Sequence, residues 1–314
     1  MSLNATTNLL MIRPVLFGLN AQTAVDNFYQ DTSLTSGEKE QEAAVAEFDA
    51  FVAKLRSVGV NVLVLQDTKD PHTPDSIFPN NWISMHSDGT LVLYPMKAEN
   101  RRLERIDAVE DLLENAGFEV KEILDISANE LEDIFLEGTG SIVFDHGEKI
   151  AYLARSQRAD EGLFEILCEE LGYEPVVFSA FQETQSGLQQ IYHTNVLMCV
   201  TDEFVVVCLD AVRNQDERAQ LEERILNSGK GILEITEAQK HEFAGNMLLV
   251  QGEQERPYLV MSSRAHAALD QEQLDIITEY YDILSSDLTT IETLGGGSAR
   301  CMLAENYLPK IDNK

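Results

Sequence analysis

Three observations predict an α/β fold of five ββαβ-type units closed into a ring, a fivefold pseudosymmetric β/α propeller around a central active site. The first is a recurring phrase: an amphipathic helical stretch stops at a glycine and passes into a short β-rich run. Its glycines are Gly59, Gly117, Gly172 and Gly229, separated by 58, 55 and 57 residues, and Asp287 follows 58 later in a fifth version. The second is that every unit also carries a strand before its helix and a further strand reached by a loop. The third is that Asn81, Glu137, His193, Asn246 and Cys301 recur at separations of 56, 56, 53 and 55 residues. A ring of repeats gathers equivalent loops on its axis, so residues remote in sequence are expected in one site.

Taken in chain order, the strands before the helices are expected at residues 14–17, 91–95, 150–154, 204–209 and 258–262. Each repeat glycine suits the position just past a helix, where left-handed backbone turns the chain into a strand. The β-rich runs that follow are expected at 60–65, 118–120, 174–178, 231–235 and 289–291. The further strands fall at 81–85, 140–144, 195–199, 246–250 and 300–303, and turns at 87–89, 145–147, 201–203 and 252–254 join them to the next unit. One such ring accounts for residues 1–314 as a single domain.

Composition narrows the class of partner. The chain has 23 basic and 54 acidic residues, a net charge of −31, which opposes attraction to phosphate backbones and anionic membranes. No nucleic-acid or membrane partner is expected, and the acidic surface reads as a solubility device. Cys168, Cys199, Cys208 and Cys301 lack metal-ligand spacing, which fits a reducing compartment. The apolar run at 9–12 is interrupted by Arg13 and Pro14, has no basic flank or cleavage pattern, and falls short of transmembrane length. A cytoplasmic protein is expected; no pattern encodes its oligomeric state.

The segment Gly295-Gly296-Gly297-Ser298-Ala299-Arg300-Cys301-Met302 carries the reactive group. Three glycines let the backbone leave a strand at 289–294, turn tightly and approach a ligand before a short strand begins at Cys301. A lone cysteine is ordinarily a small buried hydrophobe. The periodic placement of Cys301 with His193 and Glu137 changes that reading, because a thiolate is a nucleophile and a paired imidazole activates it and moves protons. Glu137 is expected to hold the imidazole charged or to orient it.

These motifs resemble the pentein, or guanidino-group-modifying, superfamily. Residues 295–302 look like its nucleophile loop, Leu136-Glu137-Gly138-Thr139-Gly140 resembles its Glu-Gly-Gly-Asp loop, and His193-Thr194-Asn195-Val196 matches its histidine motif. Phe78-Pro79-Asn80-Asn81 matches its Phe-x-x-Asp motif, and Ser156-Gln157-Arg158-Ala159-Asp160 is similar to the loop whose arginine meets a substrate α-carboxylate. Arginine deiminases have aspartates where this chain has Asn81 and Asn195. Paired carboxylates clamp a cationic guanidinium, whereas carboxamides offer a donor and an acceptor without charge, which suits a neutral ureido group. With Ile12-Arg13-Pro14, Phe17-Gly18-Leu19-Asn20 and Thr23-Ala24, the chain looks like the citrulline utilisation hydrolase branch.

The resemblance implies hydrolysis of L-citrulline to L-ornithine, ammonia and carbon dioxide, a step of arginine metabolism. Cys301 attacks the ureido carbon, His193 protonates the departing nitrogen and then activates water, and Glu137 supports His193. Asn81 and Asn195 hold the ureido group, Arg158 meets the α-carboxylate, Arg300 contacts substrate or gates the site, and glycine-loop amides stabilise the oxyanion. The partner is a small molecule, citrulline or a related amino acid, with no metal or organic cofactor. The rivals are a guanidino hydrolase of the arginine deiminase or dimethylarginine dimethylaminohydrolase type, an amidinotransferase, and a binding protein like the ribosome anti-association factors of this fold. The polar stretch 20–39 is a candidate cover for the site, and Asp75 a candidate neighbour.

Overall fold

The computed structural model describes residues 4–34, 37–106, 108–184 and 187–311. Residues 35 and 36 of the expected cover and the ends of the expected domain span lie outside these. Among the described residues seventeen strands follow one another as β1 (Asn8–Arg13), β2 (Asn61–Gln66), β3 (Ile83–Met85), β4 (Thr90–Leu93), β5 (Glu122–Asp125), β6 (Ile142–Asp145), β7 (Ile150–Ala154) and β8 (Glu174–Phe178). They continue as β9 (Phe181–Thr184), β10 (Gly187–Gln190), β11 (Met198–Val200), β12 (Phe204–Val207), β13 (Gly231–Glu234), β14 (Leu248–Val250), β15 (Tyr258–Ser262), β16 (Asp282–Ser286) and β17 (Ala304–Glu305).

Five three-stranded sheets repeat one topology. The orders are β3-β4-β5, β6-β7-β8, β11-β12-β13, β14-β15-β16 and β17-β1-β2, in each of which the first pair is antiparallel and the second parallel. A parallel pair needs a crossover. Here the crossovers carry the helices Glu38–Ser57, Ala108–Asn115, Glu161–Leu171, Gln215–Asn227 and Gln271–Tyr280. The ring closes through β17, which registers Ala304 opposite Leu10 and Glu305 opposite Leu9. This is the fivefold β/α propeller. The middle strands β7 and β15 are buried along their whole length, as strands covered on both faces must be.

Gly59, Gly117, Gly172 and Gly229 all take the left-handed backbone that ends a helix, with φ of 89°, 79°, 71° and 81°. Three expected strands sit elsewhere. The run 9–12, not 14–17, is the first strand, because Pro14 has no N–H to continue the ladder. Residues 118–120 are drawn off by the C-terminal segment, where Glu119 N–H donates to Pro309 O at 2.9 Å, so β5 starts at Glu122. In the fifth unit the helix passes into β16 without a glycine turn. The Asp287 carboxylate instead accepts from the N–H (3.1 Å) and hydroxyl (2.7 Å) of Thr289 and opens the helix Thr289–Gly295. The chain therefore enters the glycine loop from a helix, and Gly296 at φ 64° ends that helix.

Beyond β3 lies His86, 5% exposed, its Nε2 2.8 Å from Ser84 Oγ and its ring edge-on to Phe144. Burial lowers its pKa to about 4, against 6.5 in an unfolded chain, so between those values the unfolded chain binds the extra proton. Stability contributed by the neutral ring is present above pH 6.5 and drains away as pH falls towards 4, by about 3 kcal/mol. The difference in urea midpoint between wild type and His86→Gln, measured from pH 7.5 to 4.5, should move against the wild type as pH falls; a constant difference contradicts it.

Candidate active site

Each periodic residue arrives on a tight turn just before a strand. Pro79–Asn81, Thr194–Val196 and Ala299–Met302 are single 3-10 turns, and Gly138–Ser141 is one α turn. The strands expected at 81, 140, 195 and 300 therefore begin a few residues later, and the turns aim side chains across the axis. Two glycines let the turns meet. A Cβ on Gly138 (φ 43°) would lie 2.4 Å from Asn80 O, and one on Gly140 would lie 2.2 Å from Asn81 Nδ2 and 2.8 Å from His193 Nδ1.

Cys301, His193, Asn81, Arg158, Arg101, Asp75 and Gly295 to Gly297 line one pocket of about 270 Å³, measured to its open mouth. His193 Nε2 lies 2.8 Å from Glu137 Oε2, so this nitrogen carries the proton and Nδ1 keeps its lone pair. Burial would raise the Glu137 pKa, but Arg158, His193 and Arg101 outweigh it and hold the carboxyl well below the usual range. Burial lowers the His193 pKa despite Glu137. The resting pair is thus a carboxylate orienting a neutral imidazole, rather than one holding it charged.

Asn81 is pinned. Its Oδ1 accepts from Arg101 Nη1 at 2.7 Å, and since a guanidinium only donates, Nδ2 must be the free end. That Nδ2 is buried without a partner. Asn195 Nδ2 lies 3.6 Å from Cys301 Sγ and Asn246 Nδ2 lies 3.3 Å from it. Arg158, 3% exposed, donates from Nη1 to Glu137 at 3.4 Å and from Nη2 to Thr23 O at 3.2 Å and to Asp26, while its Nε has no partner. Its guanidinium lies 4.9 Å over the Tyr192 ring.

Arg300 departs from the expected position. Its guanidinium donates to Leu303 O at 2.8 Å and Glu305 at 2.7 Å, and it does not line the pocket. Asp75 does line it, with Oδ2 held by Asn20 and Thr23, Oδ1 without a partner, and burial raising its pKa. Of the glycine-loop amides, that of Gly296 is committed to Glu292 O. Sequence reasoning missed Arg101, whose stretch 99–105 reads as a solvated charged helix, although Arg101 and Glu104 form a buried pair at 2.9 Å. Their three-residue spacing was the signal available. The stretch from Asn20 does cover the pocket: Asn27 Nδ2 and Gln30 Nε2 each donate to Gly295 O at 3.2 Å.

The sequence matches the family described as N,N dimethylarginine dimethylhydrolase, eukaryotic, over residues 13–308. No curated protein sequence matches it. Among solved structures, unliganded ArgZ, an arginine dihydrolase from the ornithine-ammonia cycle in Cyanobacteria, is similar with a TM-score of 0.75 and 17% identity. The match covers 98% of this chain, which spans 41% of ArgZ. A variant of AgrE complexed with L-arginine gives 0.75 and 17%, covering 98% of this chain and 41% of AgrE. A dimethylarginine dimethylaminohydrolase variant, an adduct with S-methyl-L-thiocitrulline, gives 0.64 and 15%, covering 95% and 98%. At these identities the solved structures speak for the fold. Among the described residues no helix is long and apolar enough to cross a membrane.

Proposed function

The chain belongs to the N,N-dimethylarginine dimethylhydrolase family of the pentein superfamily, a family of hydrolases acting on carbon–nitrogen bonds, and on that premise we propose that it hydrolyses the ureido group of L-citrulline through a covalent intermediate on Cys301. The observation that carries this reading is the orientation of Asn81. With Oδ1 held by Arg101, the side chain offers the pocket an N–H donor. A guanidinium, which has donors only, would meet it donor to donor; a ureido oxygen accepts from it.

In the proposed sequence His193 Nδ1 takes the Cys301 proton, and the thiolate attacks the ureido carbon while the oxygen gains charge towards Asn81 Nδ2. Glu137, already ionised, stabilises the imidazolium so formed. Both nitrogens of a ureide donate into its carbonyl, so the leaving amine must be protonated as the C–N bond breaks, and His193 returns its proton there. The thiocarbamate on Cys301 is then attacked by one water deprotonated by His193. The carbamate released falls apart to carbon dioxide and the second amine, so citrulline and one water give ornithine, ammonia and carbon dioxide. At the other end of the substrate, Asp75 Oδ1 has an open acceptor for an α-ammonium and Arg158 Nε an open donor for an α-carboxylate. That carboxylate would compete with Asp26 for Arg158.

A second reading takes arginine as the starting substrate, favoured by the dihydrolase ArgZ and the arginine-bound AgrE. Ornithine and ammonia release should be measured by chromatography with citrulline and arginine in parallel. Ornithine is expected from citrulline at least about ten times faster than from arginine. Turnover of arginine with citrulline inert would sink the ureido reading and restore the guanidino one.

A further inference from the structure

We infer that Asn246 is a catalytic residue for the nucleophile, donating a side-chain N–H to the Cys301 thiolate; the inference rests on the reading that Cys301 is the nucleophile. Asn246 is fully buried, and both ends of its amide are fixed. Oδ1 accepts the backbone N–H of Arg300 at 3.1 Å, which turns Nδ2 towards Asn195 O at 2.9 Å and Cys301 Sγ at 3.3 Å. Oδ1 is farther from the sulfur, at 3.6 Å, and is already engaged. An N–H donor aimed at a sulfur favours its anionic form, because charge-assisted hydrogen bonds are about twice as strong as neutral ones.

The loop that presents Asn246 is built for this placement. Phe243 is held at φ 62°, and Asn246 N–H donates to Phe243 O at 2.8 Å. Gly245 is pressed against the third unit so closely that a Cβ would lie 2.6 Å from Val196 O. One side chain therefore ties the fourth unit to the backbone of Asn195 in the third and of Arg300 in the fifth, with the sulfur between them. The fourth unit, which supplies none of the residues used in the proposed sequence, contributes here.

The ionisable groups sharing the pocket with Cys301 are His193, Tyr192, Arg101, Arg158 and Asp75, with Glu137 behind His193 and Tyr29 beside Tyr192. None is altered by a change at 246. Asn246→Ala removes the donor; Asn246→Asp keeps an acceptor for Arg300 N–H but sets a carboxylate against the sulfur. Iodoacetamide labelling of Cys301, followed by peptide mass spectrometry across pH 6–10, reads the thiolate without any amino-acid substrate. The labelling profile should shift by about one pH unit upward in the alanine variant and farther in the aspartate variant. In parallel, kcat should fall about tenfold or more, with KM changed less than threefold. Profiles that coincide with wild type in folded variants overturn the inference. A second measurement uses the unaltered chain: the Asn246 side-chain amide protons, followed by 15N-edited NMR, should move as Cys301 ionises, and resonances that stay still overturn it too. Failure of citrulline turnover alone would bear on the substrate and not on this result.

Discussion

Cys301→Ala is expected to reduce ornithine release from citrulline at least about 10⁴-fold, since it removes the pocket's thiol and with it the proposed covalent intermediate. The remaining cysteines offer no substitute: burial pushes Cys168 and Cys199 up to about 12 and Cys208 up to about 11, and none of them lines the pocket. Loss of one small buried side chain, 4% exposed, leaves the ring intact, so near-wild-type thermal unfolding should accompany the loss of rate. Acid-quenched wild-type enzyme examined by intact mass should carry an adduct that the variant lacks. Its mass also tells which amine leaves first: loss of ammonia leaves ornithine attached through the thiocarbamate, and loss of ornithine leaves an unsubstituted one. Residual turnover within tenfold of wild type would dismiss the covalent route.

Asn81→Asp is the second large effect. The aspartate can still accept from Arg101, but where Nδ2 stood it presents an oxygen next to the developing oxyanion, in a pocket that the Asp75 carboxyl already lines and with Glu137 behind His193. Loss of one donor to a developing oxyanion costs about 10²–10³ in rate, and the added repulsion acts in the same direction. The kcat/KM on citrulline should therefore drop by about 10³, while binding of a guanidinium competitor tightens. Steady-state kinetics on citrulline with arginine as competing ligand decide it. Citrulline turnover kept within threefold would mean that the Asn81 amide does not select the ureido group.

The ring was legible because helix ends that need left-handed backbone put glycine at a regular interval, and that need survives whatever surface sequence surrounds it. Cys301, His193, Glu137 and Asn81 were legible for a related reason: equivalent loops of a closed ring meet, so spacing in sequence carries over into proximity. Arg300 was misjudged by adjacency. In a 3-10 turn, neighbouring side chains point about 120° apart, so the residue beside Cys301 faces Glu305 and not the pocket. Arg101 and Asp26 were hidden because charge in a polar stretch reads as solvated, and only tertiary packing brings Arg101 onto Asn81 and Asp26 onto Arg158. The fifth unit misled because Asp287 replaces a helix stop by a helix start.

The pairing of β17 with β1 reaches beyond shape. Leu10 and Ala304 are opposite one another although nearly the whole chain separates them, and Cys301 lies three residues before Ala304. Contacts so distant in sequence form late in folding, because the entropy of closing the loop must be met before they return anything. Cys301, the proposed nucleophile, is therefore carried by the last element of the ring in chain order, and it lies beside Asn246 and shares a pocket with His193 only once that element is docked. On the proposed reading, a ring that is not latched lacks its nucleophile in place, so activity is expected to arrive with ring closure.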